Sequence, residues 1–485
     1  MRTTSPFRAA RAGLGVAAAA AVLLVIGSPS APASTVRSAA PACTITYTAG
    51  YQPDPLDWEH AQNWSAGRVP GPADFACIPA GVSGTVSVGD GTKVEGVSAQ
   101  NAGGLRLHNF GLELTDPGTP STINNLDVGS LATFTVDSGV TVSLTGTSGS
   151  AGLTGFGAAA IAGAGTVAVA PGATLGFGAG LTGSVTFEVL PGATADLRSG
   201  YFTSATGARF VNQGTVVIAP APSAGFVDEF GTNSRGTFVN AGGGRIVDPA
   251  GAAGFQFGVP VQNAGTVTVA GGQTLSFLTG ATAARGSRFV VSPAGTIAFG
   301  GGPYTYQLAH AVLAGKGTFN FQLGTVVLGG QKLANVEQCA TTLGPFTVTK
   351  SWISAACISN GEAVLSDARR RTTTTFTRGA HAEIGYGGYL VLTRHHALVN
   401  AGRLVDQMDI CLAGGSALTN NGSLIGISNK SSPLRYIHPN CGQPGPTGRL
   451  VNGRKGLVQG TSGRIEIYVP FVNHGRVRGK VTVHH

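Results

Sequence analysis

The stretch Phe210-Val211-Asn212-Gln213-Gly214-Thr215-Val216 decides the fold, because its pattern keeps returning. It recurs as Phe238-Val239-Asn240-Ala241-Gly242 and Val261-Gln262-Asn263-Ala264-Gly265-Thr266-Val267. Later copies read Leu398-Val399-Asn400-Ala401-Gly402-Arg403-Leu404, Leu418-Thr419-Asn420-Asn421-Gly422-Ser423-Leu424 and Phe471-Val472-Asn473-His474-Gly475-Arg476-Val477, with a variant at Val451-Asn452-Gly453. Successive asparagines within each group lie 28 and 23, then 20, 32 and 21 residues apart. A supersecondary unit repeated at roughly 20 to 30 residues cannot close a core alone and must stack on its neighbours as a solenoid. The expected fold class is therefore all-β, a parallel β-helix.

Degenerate copies keep the glycine and lose the asparagine, as in Ala164-Gly165-Thr166-Val167, Ala294-Gly295-Thr296-Ile297 and Lys316-Gly317-Thr318-Phe319. Short alternating strands punctuated by Gly and Pro-Gly are strand and turn signals. Asparagine suits such a corner because it tolerates the left-handed conformation and its amide can hydrogen-bond the turning backbone. Stacked copies would form an amide ladder, predicted at Asn212, Asn240 and Asn263 and again at Asn400, Asn420 and Asn473. The glycine two residues on is expected to supply an unusual backbone conformation.

Composition agrees. Charged residues are 11% of the chain, against about 25% in ordinary domains, and Gly at 76 of 485 is about twice average usage. The apolar fraction of 42% excludes a disordered chain with so little charge. At the N-terminus Arg2, Arg8 and Arg11 precede an apolar run from Gly13 to Gly27 and a small-residue site ending Ala31-Pro32-Ala33, which reads as a secretory signal peptide over residues 1–33. No second run of about 20 apolar residues follows, so no stable membrane insertion is expected. The product is expected to be secreted, extracellular or loosely associated with the cell surface. Six cysteines in an exported chain predict three disulfides, and proximity favours Cys43–Cys77, Cys339–Cys357 and Cys411–Cys441. The close Cys/His pairs of a metal site are absent from the sequence, and no metal or other cofactor is expected.

Residues 34–80 form a Trp-rich segment containing Trp58, Asn63, Trp64, Pro70 and Asp74 in the spacing W-x4-N-W-x5-P-x3-D. About 20 residues here resemble the opening of large extracellular bacterial β-solenoids of the autotransporter-like and adhesin-like type, whose fold is a right-handed parallel β-helix. The resemblance implies that this segment leads into the first coil, with Trp58 and Trp64 covering the open apolar end. A carbohydrate-stacking aromatic pair is the rival reading. Coils are then expected over 81–335, irregular or inserted coils over 336–395, and basic coils over 396–485, the chain ending almost at its last strand.

Charge singles out one end. The formal charge is +9, and removing the leader with its three arginines leaves +6. Residues 441–485 carry Arg449, Arg454, Lys455, Arg464, Arg476, Arg478 and Lys480 against Glu466 alone. The whole net charge of the mature chain thus lies in this segment, with Arg476, Arg478 and Lys480 as candidate contacts to an anionic polymer. Nucleic acid is a poor fit because basic residues are not interleaved with aromatics.

Catalytic constellations are thin. Glycosidic chemistry needs paired carboxylates, and only 22 Asp plus Glu are present, scattered singly. The local candidates are Asp228-Glu229, Asp406 with Asp409, and Glu383 near His395-His396; each is better read as a turn or solvated residue, and no catalytic residue is assigned. The expected function is a non-enzymatic β-solenoid, a surface or matrix component adhering to cell envelope or extracellular polysaccharide. The alternative is a β-helix polysaccharide lyase or glycoside hydrolase.

Overall fold

A computed structural model describes residues 42–146, 152–153, 159–178, 180–197, 207–218, 236–251, 254–339, 341–354, 361–366, 371–385, 388–427, 434–439 and 446–484. The leader reading and the pair Asp228-Glu229 lie outside these residues, as do Cys357 and Cys441. Each turn of chain contributes three short strands, one to each of three faces, and every ladder between strands is parallel. On the first face, parallel pairing runs unbroken from Ile45–Thr46 through Phe75–Ile78, Arg209–Asn212 and Gly388–Leu392 to the end of Arg476–Val483. At about 4.8 Å per step, this stack extends on the order of 90 Å. The fold is a parallel β-helix.

Alternation explains why these residues pair this way. In Thr186–Val189, Phe187 and Val189 are buried while Thr186 and Glu188 are only partly so. Each coil adds one layer to a continuous core. Like residues stack: Phe257, Phe277, Phe299 and Phe321 lie nearly parallel, with successive centroids 5.4, 5.2 and 5.8 Å apart. Offset aromatic stacking contributes about 0.5–1.5 kcal/mol per pair beyond area burial.

The asparagine corners show what the repeat is for. Asn212 Nδ2 donates to Asn240 Oδ1 and Asn240 Nδ2 to Asn263 Oδ1, both at 2.8 Å. In the last coils Asn400 donates to Asn420, Asn420 to Asn452, and Asn452 to Asn473 at 2.8–2.9 Å. Asn452, in the variant copy, is therefore a full rung. Neither these asparagines nor the following glycines have positive φ, which corrects the left-handed rationale for the corner. At Gly214, Gly265, Gly402, Gly422 and Gly475 the glycine is needed because coils pass too closely for a Cβ, whereas Gly242 has open space there. One added to Gly422 would lie 2.0 Å from the Gly402 carbonyl oxygen, and one on Gly265 would lie 2.1 Å from that of Gly244.

The two ladders occupy different corners. Asn212, Asn240 and Asn263 end first-face strands, whereas Asn400, Asn420, Asn452 and Asn473 end second-face strands. The motif shifts by one face across residues 336–395, where strands pair in register with coils on both sides. In this stretch Gln331–Gln338 and Phe346–Ser354 run through the corner between second and third faces as single strands, with a register shift between Leu333 and Asn335.

Replacing Asn240 with alanine is expected to cost about 2 kcal/mol, because two buried amide groups lose a partner while Asn212 keeps a bond to the Arg245 carbonyl. Asn240→Asp should cost at least as much, since a carboxylate oxygen would face Asn263 Oδ1. Urea unfolding of the two variants checks both the size and the order.

Candidate anionic-polymer interface

The strand Arg449–Asn452, the turn Gly453-Arg454-Lys455-Gly456 and the strand beginning at Leu457 form a second-to-third-face corner. One coil further, Phe471–Asn473, His474-Gly475 and Arg476–Val483 repeat it. The Asn452–Asn473 bond and the register Leu457 to Arg476 and Gln459 to Arg478 fix the upper corner on the lower. Outward positions alternate along this strand, so Arg476 and Arg478 share a face. Arg454, Lys455, Arg476, Arg478 and Lys480 are all exposed. None makes an ion pair among the described residues. By contrast, Arg464 reaches Glu466 at 3.4 Å, and Glu466 also meets His484; the His484 bond chiefly holds the Glu466 carboxyl below its usual range. Five cations without internal counter-ions are thus gathered on two consecutive coils.

The carboxylate candidates have other roles. Asp406 is fully buried at the inward end of Arg403–Asp406, stacked between Ile384 and Gly426. Burial pushes its carboxyl well above the usual range, the Asp409 charge adds to this, and the Arg435 guanidinium opposes it. Asp409 accepts the Tyr436 amide at 2.9 Å, and its carboxyl is also raised by burial. Asp406 is sealed from solvent, so the pair does not present two carboxylates to a sugar. Glu383 meets Gln407 and lies 3.8 Å from His381. His396 is buried between the hydroxyls of Thr372 and Thr374, each at 2.9 Å. No group of three or more His, Cys, Asp or Glu is arranged to hold a metal among the described residues.

At the other end Trp58, Asn63, Trp64 and Asp74 of the W-x4-N-W-x5-P-x3-D segment each have a structural task, and Pro70 is buried. Trp58 and Trp64 are 0% and 2% exposed and pack edge to face at 4.6 Å, with Tyr47 against Trp64 at 4.8 Å. No indole face is open to a sugar. Asn63 accepts the Tyr51 amide and donates to the carbonyls of Asp54 and Asp57, tying the loop together. Asp74 binds Arg68 through both carboxylate oxygens, and this bond chiefly lowers its carboxyl to about 2. Cys43 and Cys77 form a disulfide with Cα atoms 5.6 Å apart, joining the first two first-face strands. Cys339 and Cys411 are also disulfide-bonded, and the partners expected for them, Cys357 and Cys441, fall outside the described residues. No described helix is long and apolar enough to cross a membrane.

The basic side chains were legible from composition, but their convergence on one corner was not, because Arg454-Lys455 and Arg476 are over 20 residues apart in sequence. Comparison with family models, with curated proteins and with solved structures finds no match.

Proposed function

We propose that this chain is a secreted, non-enzymatic β-solenoid that serves as a surface or matrix component and adheres to an anionic envelope polymer or extracellular polysaccharide. The observation that carries this reading is the exposed corner of Arg454, Lys455, Arg476, Arg478 and Lys480, which makes no ion pair among the described residues. A regular strand-to-strand rise of about 4.8 Å spaces these charges along one edge, suiting a linear polymer with repeated negative groups. The signal-peptide reading and the adhesin-like opening segment support export. Among the described residues, the carboxylates weighed for catalysis, Glu383, Asp406 and Asp409, are engaged within the protein or sealed in its core, which favours binding over glycosidic chemistry.

Co-sedimentation with a purified anionic envelope polymer tests the proposal. Binding should fall as the Debye length shrinks from about 10 Å at 0.1 M salt to about 3 Å at 1 M. Replacing Arg476, Arg478 and Lys480 together with glutamine should weaken it by roughly tenfold or more without changing the unfolding midpoint, since all three are exposed. Binding indifferent to both salt and the triple substitution would overturn the proposal.

A further inference from the structure

One corner of the early coils turns an aromatic ring outward. Phe110 is 65% exposed, the most exposed large apolar side chain among the described residues. It stands between Leu105–Leu107 and Gly111–Leu114, in a turn whose backbone is specified on both sides of it. Asn109 has φ 46°, in the left-handed region that asparagine tolerates, and Gly111 has φ 139°. A Cβ on Gly111 would lie 1.9 Å from the Thr133 carbonyl oxygen, so no larger residue fits there. The turn is therefore fixed, and with it the outward direction of the Phe110 side chain.

Beside the ring lies an open cleft of about 320 Å³. Gly111, with no side chain, is its floor, and the outward column of Lys93, Glu113 and Thr135, in register on three consecutive coils, is its far wall. Two residues along a strand span about 7 Å, which separates the floor at Gly111 from the wall at Glu113. Lys93 and Glu113 form an ion pair, so the wall offers ammonium donors, carboxylate acceptors and a hydroxyl without net charge. An anionic group gains nothing from such a wall. A purely apolar ligand would strip water from the pair and return no hydrogen bond. A sugar ring suits both sides of the cleft: its C–H face is slightly positive and meets the negative face of an aromatic ring, while its hydroxyls both donate and accept. Phe110 and Leu131, the latter 63% exposed at the same corner of the next coil, are only two side chains. They fall far short of the roughly 800 Å² per side that a stable protein interface buries.

We infer that this cleft is a subsite for a neutral saccharide, one sugar ring stacking on Phe110 while its hydroxyls bond Lys93, Glu113 and Thr135. The site goes beyond adhesion to an anionic polymer and does not rest on it. Its residues lie between 91 and 135, whereas the basic corner belongs to coils formed by residues 449–483. The two sites also differ in physics, since an uncharged ligand leaves salt no attraction to screen.

Co-sedimentation of the disulfide-intact protein with particulate cellulose, starch, mannan and chitin tests this. At least one of these neutral polymers should retain the protein equally at about 0.1 M and about 1 M salt. Phe110→Ala should weaken that retention by about tenfold, the loss expected when a buried aromatic contact is removed, and Phe110→Trp should preserve it. Lys93→Met/Glu113→Met, which leaves the net charge unchanged, should weaken it severalfold. These side chains are largely exposed, so the unfolding midpoints should match the wild type and separate lost binding from lost fold. The triple glutamine variant of Arg476, Arg478 and Lys480 should be retained like the wild type, so failure of this inference is distinguishable from failure of adhesion. Retention by none of the four polymers overturns the inference. So does retention that disappears at high salt or that Phe110→Ala leaves unchanged. Self-association that Phe110→Ala abolishes would make the ring a contact between copies and overturn it as well.

Discussion

Trp64→Ala is expected to lower stability by about 3–5 kcal/mol and to loosen the N-terminal coils while leaving the C-terminal ones protected. Trp64 is 2% exposed, packs against Trp58 and Tyr47, and donates its indole N–H to the Trp58 carbonyl at 2.8 Å. Its removal opens a cavity where, among the described residues, the first layer of core has no coil below it. In a stacked repeat each coil contacts only its neighbours, so the loss should remain local rather than spread along the solenoid. Hydrogen exchange should accelerate in Phe75–Ile78 and Gly96–Ala99 and be unchanged in Leu457–Ile467. The phenylalanine variants sharpen the test. Trp58 Nε1 has no hydrogen-bond partner among the described residues, so Trp58→Phe keeps most of the packing and loses no bond there, whereas Trp64→Phe forfeits the bond to the Trp58 carbonyl. Trp58→Phe should therefore be the milder substitution. Equal exchange at both ends of the solenoid in Trp64→Ala would show that the segment is not a cap.

How much of this was legible depends on whether a residue's task is local or set by the neighbouring coil. The Asn-x-Gly recurrence exposed the β-helix because every coil must turn, and identical turns leave identical residues. The recurrence could not reveal that Asn212 and Asn400 sit at different corners, since strand and turn look alike on all three faces. The intervening stretch bends Gln331–Gln338 through its corner as one strand, with no glycine turn to mark it. The reason for the glycine was also hidden: the forbidding contact at Gly422 is the carbonyl of Gly402, 20 residues earlier, and not its own φ. Asn452 was masked as a rung because two extra residues separate it from the next strand. The cap residues were visible as a motif, while their burial was a property of the folded end. The basic corner was half-legible. Composition located the charge, but only coil register brings Arg454 and Lys455 beneath Arg476.

Asp248 was not legible at all, and it carries the second large effect: replacing it with valine should raise stability at pH 7 by about 3 kcal/mol. Asp248 ends Arg245–Asp248 with its side chain inward and 1% exposed, and both carboxylate oxygens lack a hydrogen-bond partner among the described residues. Its neighbours along the core column are Val269 in the next coil and, by the register of Val217 with Val247, Ile218 in the previous one. An aspartate thus interrupts a column of branched aliphatics, where valine would continue it. Burial alone pushes the carboxyl up to about 6 from an ordinary value near 3.8. Between these two values the folded protein holds a proton that the unfolded chain has released. Stability attributable to this residue is therefore highest below about pH 4, falls as pH rises through the window, and is flat above about pH 6. A shift of about two units corresponds to about 3 kcal/mol, which is the penalty the valine variant removes. The difference in unfolding free energy between wild type and Asp248→Val should accordingly grow from pH 4 to pH 6 and then level off. Other titrating groups cancel in that difference, since they are common to both proteins. A difference independent of pH across that window would mean that Asp248 is ionised in the fold and that its charge is compensated.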